Sequence, residues 1–300
     1  MNRSANHERD NQIKRRDFVA TLLAGCAAPL FIGIAGAFGE TIKLSQDNAG
    51  VQLKAQRLSW AGVKLELPSI TLFIDPLINP QVWDDALKQP LVPLESATQQ
   101  RQVLVTHLHP DHFDPSAVKK VLNGSGYLIC HIDSAAIAAS QGFRVWAAKL
   151  YEPMIFDDFT VVAVPAVDGY NSNQVSWVVT GGGRRIIHCG DTLWHGAWWQ
   201  IGRQYGPFDA AFLPINGAKF SWRQPASDVP AVLTPEQAVA AGIVLGAKLA
   251  VPIHYGVSGS EGYAEYPNAE AAFVEFAKKR KLPIEILKPG EWMNWKANTS

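Results

Sequence analysis

Three histidines and an aspartate lie within six residues, directly after an apolar run, in the segment 107–112 (HLHPDH). His107 and His109 are two positions apart, so on an extended or loop backbone their side chains project the same way. Asp111 and His112 turn back towards a second position. Neutral imidazole and carboxylate are the ligands that zinc and similar divalent ions take in proteins. The spacing predicts that one short loop serves two adjacent cations; the alternative is a polar surface turn, which needs no such concentration of ligand-type side chains.

Three further candidate ligands follow other strand-like runs. Asp168 comes shortly after the run 160–164, Asp191 lies in Gly-Asp-Thr after a run that ends at Cys189, and His254 follows the apolar run 249–253. Each is a polar residue where a predicted strand ends. We therefore expect these residues to complete a metal site together with the histidine-rich segment.

The elements that position these residues alternate between strands and helices. The ligand loop is held between an apolar strand at 103–105 and a helix whose start is marked by Asp114 as N-cap and Pro115 at the first helical position. A threonine cap, Thr234, predicts a second helix over 235–245, and 268–279 reads as an amphipathic helix with Ala271, Phe273, Val274 and Phe276 towards the core. Further strands are predicted at 51–60, 63–67, 71–74, 127–132, 154–156, 160–164, 175–180, 184–189 and 249–253, with a surface excursion over 76–101.

This order predicts an α/β fold in which two sheets pack face to face with helices outside. The chain also resembles the metallo-β-lactamase-fold hydrolases, through the His-x-His-x-Asp-His run at 107–112, Gly-Asp-Thr at 190–192 and Pro-Ile-His-Tyr-Gly at 252–256. The resemblance covers residues 51–300 and implies a four-layered αββα sandwich. The segments 73–76 and 235–238 are similar to the branch of sugar-phosphate lactonases and N-acylphosphatidylethanolamine phospholipase D enzymes.

The resemblance also implies a ligand set for two divalent ions, with zinc expected and manganese or iron as alternatives. It makes Asp111 the catalytic residue, which orients a water and accepts its proton while the metals polarise an ester, lactone or phosphodiester bond. The ligands it assigns are His107 and His109 on the first ion, Asp111, His112 and His254 on the second, and Asp191 bridging both.

One position departs from the family pattern. A third histidine usually follows the Val-Pro-Ala-x segment, whereas this chain has Asp168 there. A carboxylate still binds metal and favours harder ions such as Mn²⁺ or Fe²⁺; the alternatives are a single-metal enzyme and a metal-binding member without catalysis. Leu233 is a second departure, because phospholipase-type relatives often carry a histidine near this helix start.

Other residues with metal-binding or redox chemistry have simpler interpretations. His188 and His195 flank Asp191 and are expected to support the site or to be ordinary polar groups; the alternative is that one of them replaces the missing imidazole. His131 is expected to end a strand, and the cysteines Cys130 and Cys189 to be small buried hydrophobic residues.

Ten tryptophans are present, and four of them cluster in sequence around the Asp191 loop and the segment after it. They could line a cleft for a lipid or aromatic small-molecule substrate, or they could simply pack in the core. These four are Trp194, Trp198, Trp199 and Trp222.

The N-terminal segment reads as a targeting signal. Residues 14–18 (KRRDF) and the uncharged stretch after them resemble a twin-arginine export signal over 1–37, followed by a linker over 38–50 and one hydrolase domain over 51–300. Cleavage is expected at 35–37, with lipidation of Cys26 or an uncleaved anchor as alternatives. The expected partner is the twin-arginine translocase, and the expected location is the periplasm. Without residues 1–37, 22 cations face 24 anions, which gives no electrostatic case for nucleic acid.

Overall fold

The computed structural model describes residues 52–170 and 172–295, and within them two six-stranded sheets carry the fold. The N-terminal sheet contains, in spatial order, β1 (Lys54–Arg57), β2 (Val63–Glu66), β3 (Ile70–Ile74), β4 (Gln100–Leu104), β5 (Leu128–His131) and β6 (Val145–Ala148). The first three strands form an antiparallel meander, and β3 to β6 are parallel.

The second half of the chain builds the C-terminal sheet and a two-stranded ribbon. The strands are β7 (Pro153–Phe156), β8 (Phe159–Pro165), β9 (Val175–Gly181), β10 (Arg184–His188), β11 (Ala210–Pro214), β12 (Lys219–Phe220), β13 (Ala250–Ile253) and β14 (Tyr263–Ala264). The sheet order is β13-β11-β10-β9-β8-β7, and β12 pairs with β14. The strands β9 and β10 pair antiparallel and form a hairpin across the glycines at 181–183.

Five α-helices cover the outer faces of the two sheets in the described ranges. They are α1 (Pro115–Leu122), α2 (Ile132–Ser140), α3 (Trp198–Tyr205), α4 (Pro235–Val244) and α5 (Ala269–Arg280). Leu65 and Leu72 of one sheet pack with Val179 and Phe212 of the other in a core between the sheets. Separate apolar clusters join α1 to the N-terminal sheet and α3, α4 and α5 to the C-terminal sheet. The αββα layering predicted from the sequence is therefore confirmed.

Both predicted helix starts are present with their capping bonds. Asp114 accepts a hydrogen bond from the Ser116 N–H, and a proline occupies the first turn of α1. Thr234 and Gln237 form a reciprocal capping box at the start of α4. The first of these caps ends the ligand loop on the C-terminal side, so that the loop is fixed at both ends.

Some sequence predictions were wrong or incomplete. In α5 the fully buried residues are Ala269, Phe273 and Ala277, spaced four apart, whereas Ala271 and Val274 are exposed. The strands β6, β11, β12 and β14 and the helices α2 and α3 were not predicted. The segment 76–101 is mainly irregular, as predicted, but it contains two short 3₁₀ helices at Pro80–Val82 and Asp84–Ala86.

The expectations for the signal segment 1–37 and for most of the linker 38–50 fall outside the described residues. Among the helices at 52–170 and 172–295, none combines the length and the apolar character needed to cross a bilayer.

Candidate metal centre

Four strand ends meet at one edge of the sandwich and bring the predicted ligands together. β4 leads into the histidine-rich loop, β10 into Asp191, and β13 into His254. β8 leads towards Asp168 and points the same way as β10, because each is antiparallel to β9. Asp168, Asp191 and His254 follow strands of the C-terminal sheet that run in the same direction, and such residues gather at one edge of a sheet. The packing of the two sheets against each other adds the histidine-rich loop after β4, whose first histidine, His107, lies 147 positions before His254.

Among the residues that the structure describes, three sets of ligand atoms lie close enough to hold a cation. The inner cluster consists of Asp111, His112 and His254, and the outer cluster of His109, Asp168 and Asp191; within each, the ligand atoms lie within 4.8 Å of one another. His107 forms the third set with His112 and Asp191, and so connects the two clusters. All seven predicted ligands are thus brought together.

The inner cluster is built on a buried carboxylate that the sequence analysis did not assign to the site. Asp75 lies 2.8 Å from the Nδ1 of His112, and it accepts hydrogen bonds from both the backbone N–H and the hydroxyl of Thr106, each at 2.7 Å. Asp75 and His112 are both completely buried. A carboxylate on one ring nitrogen fixes the orientation of a histidine and leaves the other nitrogen to bind metal. Asp75 therefore turns the Nε2 of His112 towards Asp111 and Asp191.

Trp60 holds the other two members of the inner cluster. Its indole N–H donates to Oδ2 of Asp111 at 3.0 Å, its ring lies 4.2 Å from the His254 ring, and its carbonyl accepts the His254 backbone N–H at 3.1 Å. Trp60 is fully buried, yet its φ is 56°, in the left-handed region that a bulky side chain rarely adopts. The fold maintains this conformation at the point where three contacts to the site depend on it.

The outer cluster is held mainly by one loop between β8 and β9. The backbone N–H of Ser172 donates to Oδ2 of Asp168 at 2.6 Å, and the Ser172 hydroxyl lies 2.8 Å from Nε2 of His109. The Nδ1 of His109 lies 2.7 Å from the Nε2 of His107, so the two nitrogens converge. Asp168 therefore takes part in the cluster at the position where an imidazole was expected.

Several buried ligand atoms have no hydrogen-bond partner within the described part of the chain. They belong to both clusters and face the shared space: His112 Nε2, both ring nitrogens of His254, Asp168 Oδ1 and Asp191 Oδ1. Burying polar atoms without partners costs free energy, and cations in the two clusters would satisfy one nitrogen of each imidazole and the carboxylate oxygens. The donor set of imidazole and carboxylate also suits a divalent transition metal. The residues present therefore fit the metal that the sequence predicts.

The electrostatics of the centre favour a cation as well. Burial opposes a charged His112, but the carboxylates of Asp111, Asp75 and Asp191 outweigh burial and raise the pKa of His112 to about 10. Burial likewise opposes a charged Asp111, yet His112 and His254 hold its pKa below the usual value. The carboxylates thus create a strongly negative field at the cluster, which a bound divalent ion would offset.

A cleft of about 410 Å³ opens above the cluster. His109, Asp111, Asp191 and His254 form part of its lining, and aromatic side chains form much of the remainder. This volume falls in the usual range for small-molecule sites. The aromatic lining residues are Trp83, Tyr170, Phe220, Trp222 and Tyr263.

Of the four tryptophans considered for such a cleft, Trp222 alone is part of this lining. Trp198, the first residue of α3, is buried in the outer core, Trp194 packs against it, and Trp199 is exposed on the helix. The segment that follows the Asp191 loop in sequence thus runs onto the outer face of the C-terminal sheet, where α3 begins. Core packing therefore explains two of them.

The other histidines of the described ranges do not join the cluster. His188 is buried and its Nε2 donates to the Ala61 carbonyl at 2.7 Å, whereas the ring of His195 stacks on Trp198 at 4.4 Å. His131 ends β5, as predicted, and caps α2. Leu233 is fully buried in the core beneath the C-terminal sheet.

Both cysteines in the described ranges are free and buried, as predicted. Burial raises the pKa of Cys130 to about 12 and shifts the pKa of Cys189 upwards as well. Neither thiol is available as a nucleophile near neutral pH.

The sequence analysis missed Asp75, Trp60 and the aromatic walls as parts of the site. Asp75 carried a usable signal, since an aspartate followed by proline at the end of an apolar strand is another polar residue at a strand end. Trp60 carried none, because its bond to Asp111 crosses 51 positions of the chain.

The layering and the strand-end cluster together define a protein of the metallo-β-lactamase fold. The profile of the family described as Beta-lactamase superfamily domain matches residues 71–255. This chain therefore belongs to that family.

Individual relatives agree with this assignment. A UPF0173 metal-dependent hydrolase of Rubrobacter xylanophilus is 27% identical over 237 residues, which cover 73% of this chain and 87% of that protein. A UPF0173 metal-dependent hydrolase of Thermus thermophilus is 30% identical over 196 residues, which cover 63% and 78%. The structure of Igni18, a metallo hydrolase of Ignicoccus hospitalis, is similar in fold with a TM-score of 0.61 at 20% identity, covering 80% of this chain and 97% of that one.

Proposed function

We propose that this protein is a metal-dependent hydrolase that cleaves an ester, lactone or phosphodiester bond of a small molecule or lipid. The observation that carries the proposal is the set of buried, unpartnered imidazole and carboxylate atoms that converge below an open cleft. Relatives named metal-dependent hydrolases support it. The bond types follow from the branch of the fold that the sequence resembles.

The geometry supports two divalent ions, with zinc as the first choice. The inner cluster would hold one ion, the outer cluster together with His107 would hold the other, and Asp191 lies where it can contact both. Since Asp168 adds a carboxylate to the outer cluster, manganese or iron would be tolerated there better than in an all-histidine site.

Bound divalent ions lower the pKa of water and polarise a carbonyl or phosphoryl oxygen, which is the chemistry that hydrolysis needs. The chain itself supplies the proton acceptor. Asp111 lines the cleft, and the Trp60 indole fixes its Oδ2 at 3.0 Å, so that the carboxylate is held in one orientation. The same environment keeps the pKa of Asp111 low, so that the side chain stays ionised as a carboxylate. From its place in the cleft it would take a proton from water and pass it to the leaving group.

The test is a metal count followed by hydrolysis assays. Purified protein should contain about two equivalents of zinc or manganese per chain and should hydrolyse p-nitrophenyl acetate, a simple lactone or bis-(p-nitrophenyl) phosphate. Asp191→Asn should lower both metal content and activity, because Asp191 belongs to two of the three ligand sets. His131→Gln is the matched control, since that histidine ends β5 outside all three sets.

Two outcomes would contradict the proposal in different ways. Full metal content with no turnover of any of the three substrate types would indicate a metal-binding protein without catalysis. Turnover that survives complete chelation and the Asp191→Asn change would rule out a metal mechanism.

We also propose export to the periplasm through the twin-arginine translocase. The support is the paired arginine motif at 14–18 and the uncharged stretch that follows it. Replacing Arg15 and Arg16 by lysine should retain the protein in the cytoplasm of a bacterial host, whereas unchanged export would refute this route. A shift in mass on removal of the signal would distinguish cleavage near 35–37 from an uncleaved anchor or a lipidated Cys26.

A further inference from the structure

The cleft above the metal centre has an aromatic wall on one side. The ring of Tyr170 lies 5.5 Å from the Trp222 ring and almost parallel to it, and 4.7 Å from the Phe220 ring in an edge contact. Phe220 in turn contacts Tyr263, which packs on Trp83 at 5.1 Å. Aromatic rings arranged in this way present both faces and edges to a planar group.

One cation lies on this wall. The guanidinium carbon of Arg223 is 4.0 Å from the centre of the Tyr170 ring and 5.6 Å from that of Trp222. Arg223 is the one lysine or arginine among the described residues that line the cleft, and it is exposed to solvent. No hydrogen bond or ion pair occupies its N–H groups within the described parts of the chain. A guanidinium stacked flat on a ring keeps these donors free at its edge, where they match a carboxylate.

The Tyr170 ring lies between Arg223 and the metal centre. Tyr170 contacts Arg223 and also contacts His109, whose ring lies 5.5 Å from the Tyr170 ring and perpendicular to it. One aromatic ring therefore separates Arg223 from the outer cluster. The phenol oxygen of Tyr170 is buried and has no hydrogen-bond partner among the described residues, which leaves a donor for an oxygen of a bound molecule.

We propose that the substrate is an aromatic ester that carries a carboxylate on the far side of its ring from the scissile bond. The ring would lie against the aromatic wall, the carboxylate would pair with Arg223, and the ester would lie over the metal centre. This inference rests on the proposed hydrolase function and names the substrate class of the same site. It assigns Arg223 as the residue that selects anionic over neutral substrates.

The first experiment compares a charged and a neutral ester with the same acyl group. Wild-type protein should hydrolyse 4-acetoxybenzoate with a higher kcat/KM than methyl 4-acetoxybenzoate. In Arg223→Gln the ratio of the two kcat/KM values should fall about tenfold, which is typical of losing one charge-assisted contact. Arg203→Gln is the matched control, because Arg203 is exposed on α3 and does not line the cleft. A ratio that is the same in wild type and Arg223→Gln would overturn the proposal.

A binding measurement separates this inference from the proposed function. The product 4-hydroxybenzoate should quench tryptophan fluorescence more strongly than its methyl ester, and Trp222→Phe and Arg223→Gln should each reduce the difference. Binding of the anion without turnover of any ester would contradict the hydrolase function and support the anion site. Turnover of both esters with no preference in binding or rate would contradict the anion site and support the hydrolase function.

Discussion

The two halves of the metal centre are supported in different ways. In the inner cluster the His112 side chain is fully buried and bonded to Asp75, which in turn is bonded twice to Thr106 at the end of the adjacent strand. In the outer cluster the His109 side chain is 29% exposed, and its partner Asp168 is held by the Ser172 backbone in a loop. The inner half is thus fixed by the folded core, whereas the outer half depends on one connection between strands. Substitutions in the inner half should therefore reduce stability or metal affinity more than substitutions in the outer half.

The largest effect is expected for Asp75→Asn. The amide cannot accept from Thr106 and His112 as the carboxylate does, and it leaves buried donors facing one another. Breaking such a buried charged network costs about 3 kcal/mol in the free energy of unfolding. Urea unfolding of metal-free protein measures this loss. Asp157→Asn is the matched control, because Asp157 is exposed in a turn and, like Asp75, has a left-handed φ. Equal stability of the two variants would show that Asp75 does not support the inner cluster.

The next largest effect is expected for Trp60→Phe. Phenylalanine keeps an aromatic ring beside His254 but removes the N–H that fixes Asp111. Losing a group that orients a metal ligand typically weakens metal binding about 10- to 100-fold. Competition with a chromophoric chelator measures the zinc affinity, and circular dichroism checks the fold. Trp292→Phe provides the control, since the Trp292 ring packs on Lys64 away from the centre. Unchanged zinc affinity in Trp60→Phe would remove Trp60 from the support of the site.

The same contrast explains what the sequence could and could not predict. The ligand loop, its flanking strand and its capped helix are coded by neighbouring residues, and their positions were predicted. Asp168, Asp191 and His254 were predicted as ligands because they are polar residues that follow predicted strands. The role of Trp60 depends on a bond between distant parts of the chain and on a backbone conformation that tryptophan does not favour, so local pattern could not reveal it.

The prediction of secondary structure failed in short segments whose apolar residues show no distinctive period. The helix α2 is rich in alanine and leaves Ile137 58% exposed, so it shows no clear apolar stripe. The strand β11 consists of five buried residues, and a short apolar run of this kind does not distinguish strand from buried helix. In both segments the packing of the sheets decides the structure.

A smaller effect is expected in the outer half, for Asp168→His. The imidazole removes a negative charge and a hard oxygen ligand, so the variant should prefer zinc over manganese more strongly than the wild type does. Metal analysis after equilibration with both ions measures the preference, with Asp168→Ala showing whether the outer ion is lost altogether. The change in zinc affinity should be smaller than that in Trp60→Phe. If Asp168→Ala keeps two ions with unchanged affinity, Asp168 is not a ligand.

The smallest change in the free energy of unfolding is expected for Asp209→Asn. Asp209 precedes β11 at the opposite edge of the C-terminal sheet. Burial opposes its charge, but the Arg185 N–H at 2.8 Å and Lys248 at 3.0 Å outweigh burial and lower the pKa of Asp209. A carboxyl group with a lowered folded-state pKa stabilises the protein above its ordinary pKa, and this contribution is lost as the pH falls through the folded-state value. Asp209→Asn should therefore cost about 1 kcal/mol at pH 7, and the difference from wild type should shrink at acid pH.

Urea unfolding of metal-free wild type and Asp209→Asn at several pH values tests this. Glu152→Gln is the control, because Glu152 forms only an exposed ion pair with Lys149 and should have little effect at any pH. A stability difference that stays constant with pH would mean that Asp209 acts through packing rather than charge. A difference that shrinks would show that the charge of Asp209 contributes to stability at this end of the sheet. At the Asp209 end the protein supplies its own cations. At the metal end the buried carboxylates have no lysine or arginine partner among the described residues, and a bound metal ion would supply the positive charge there.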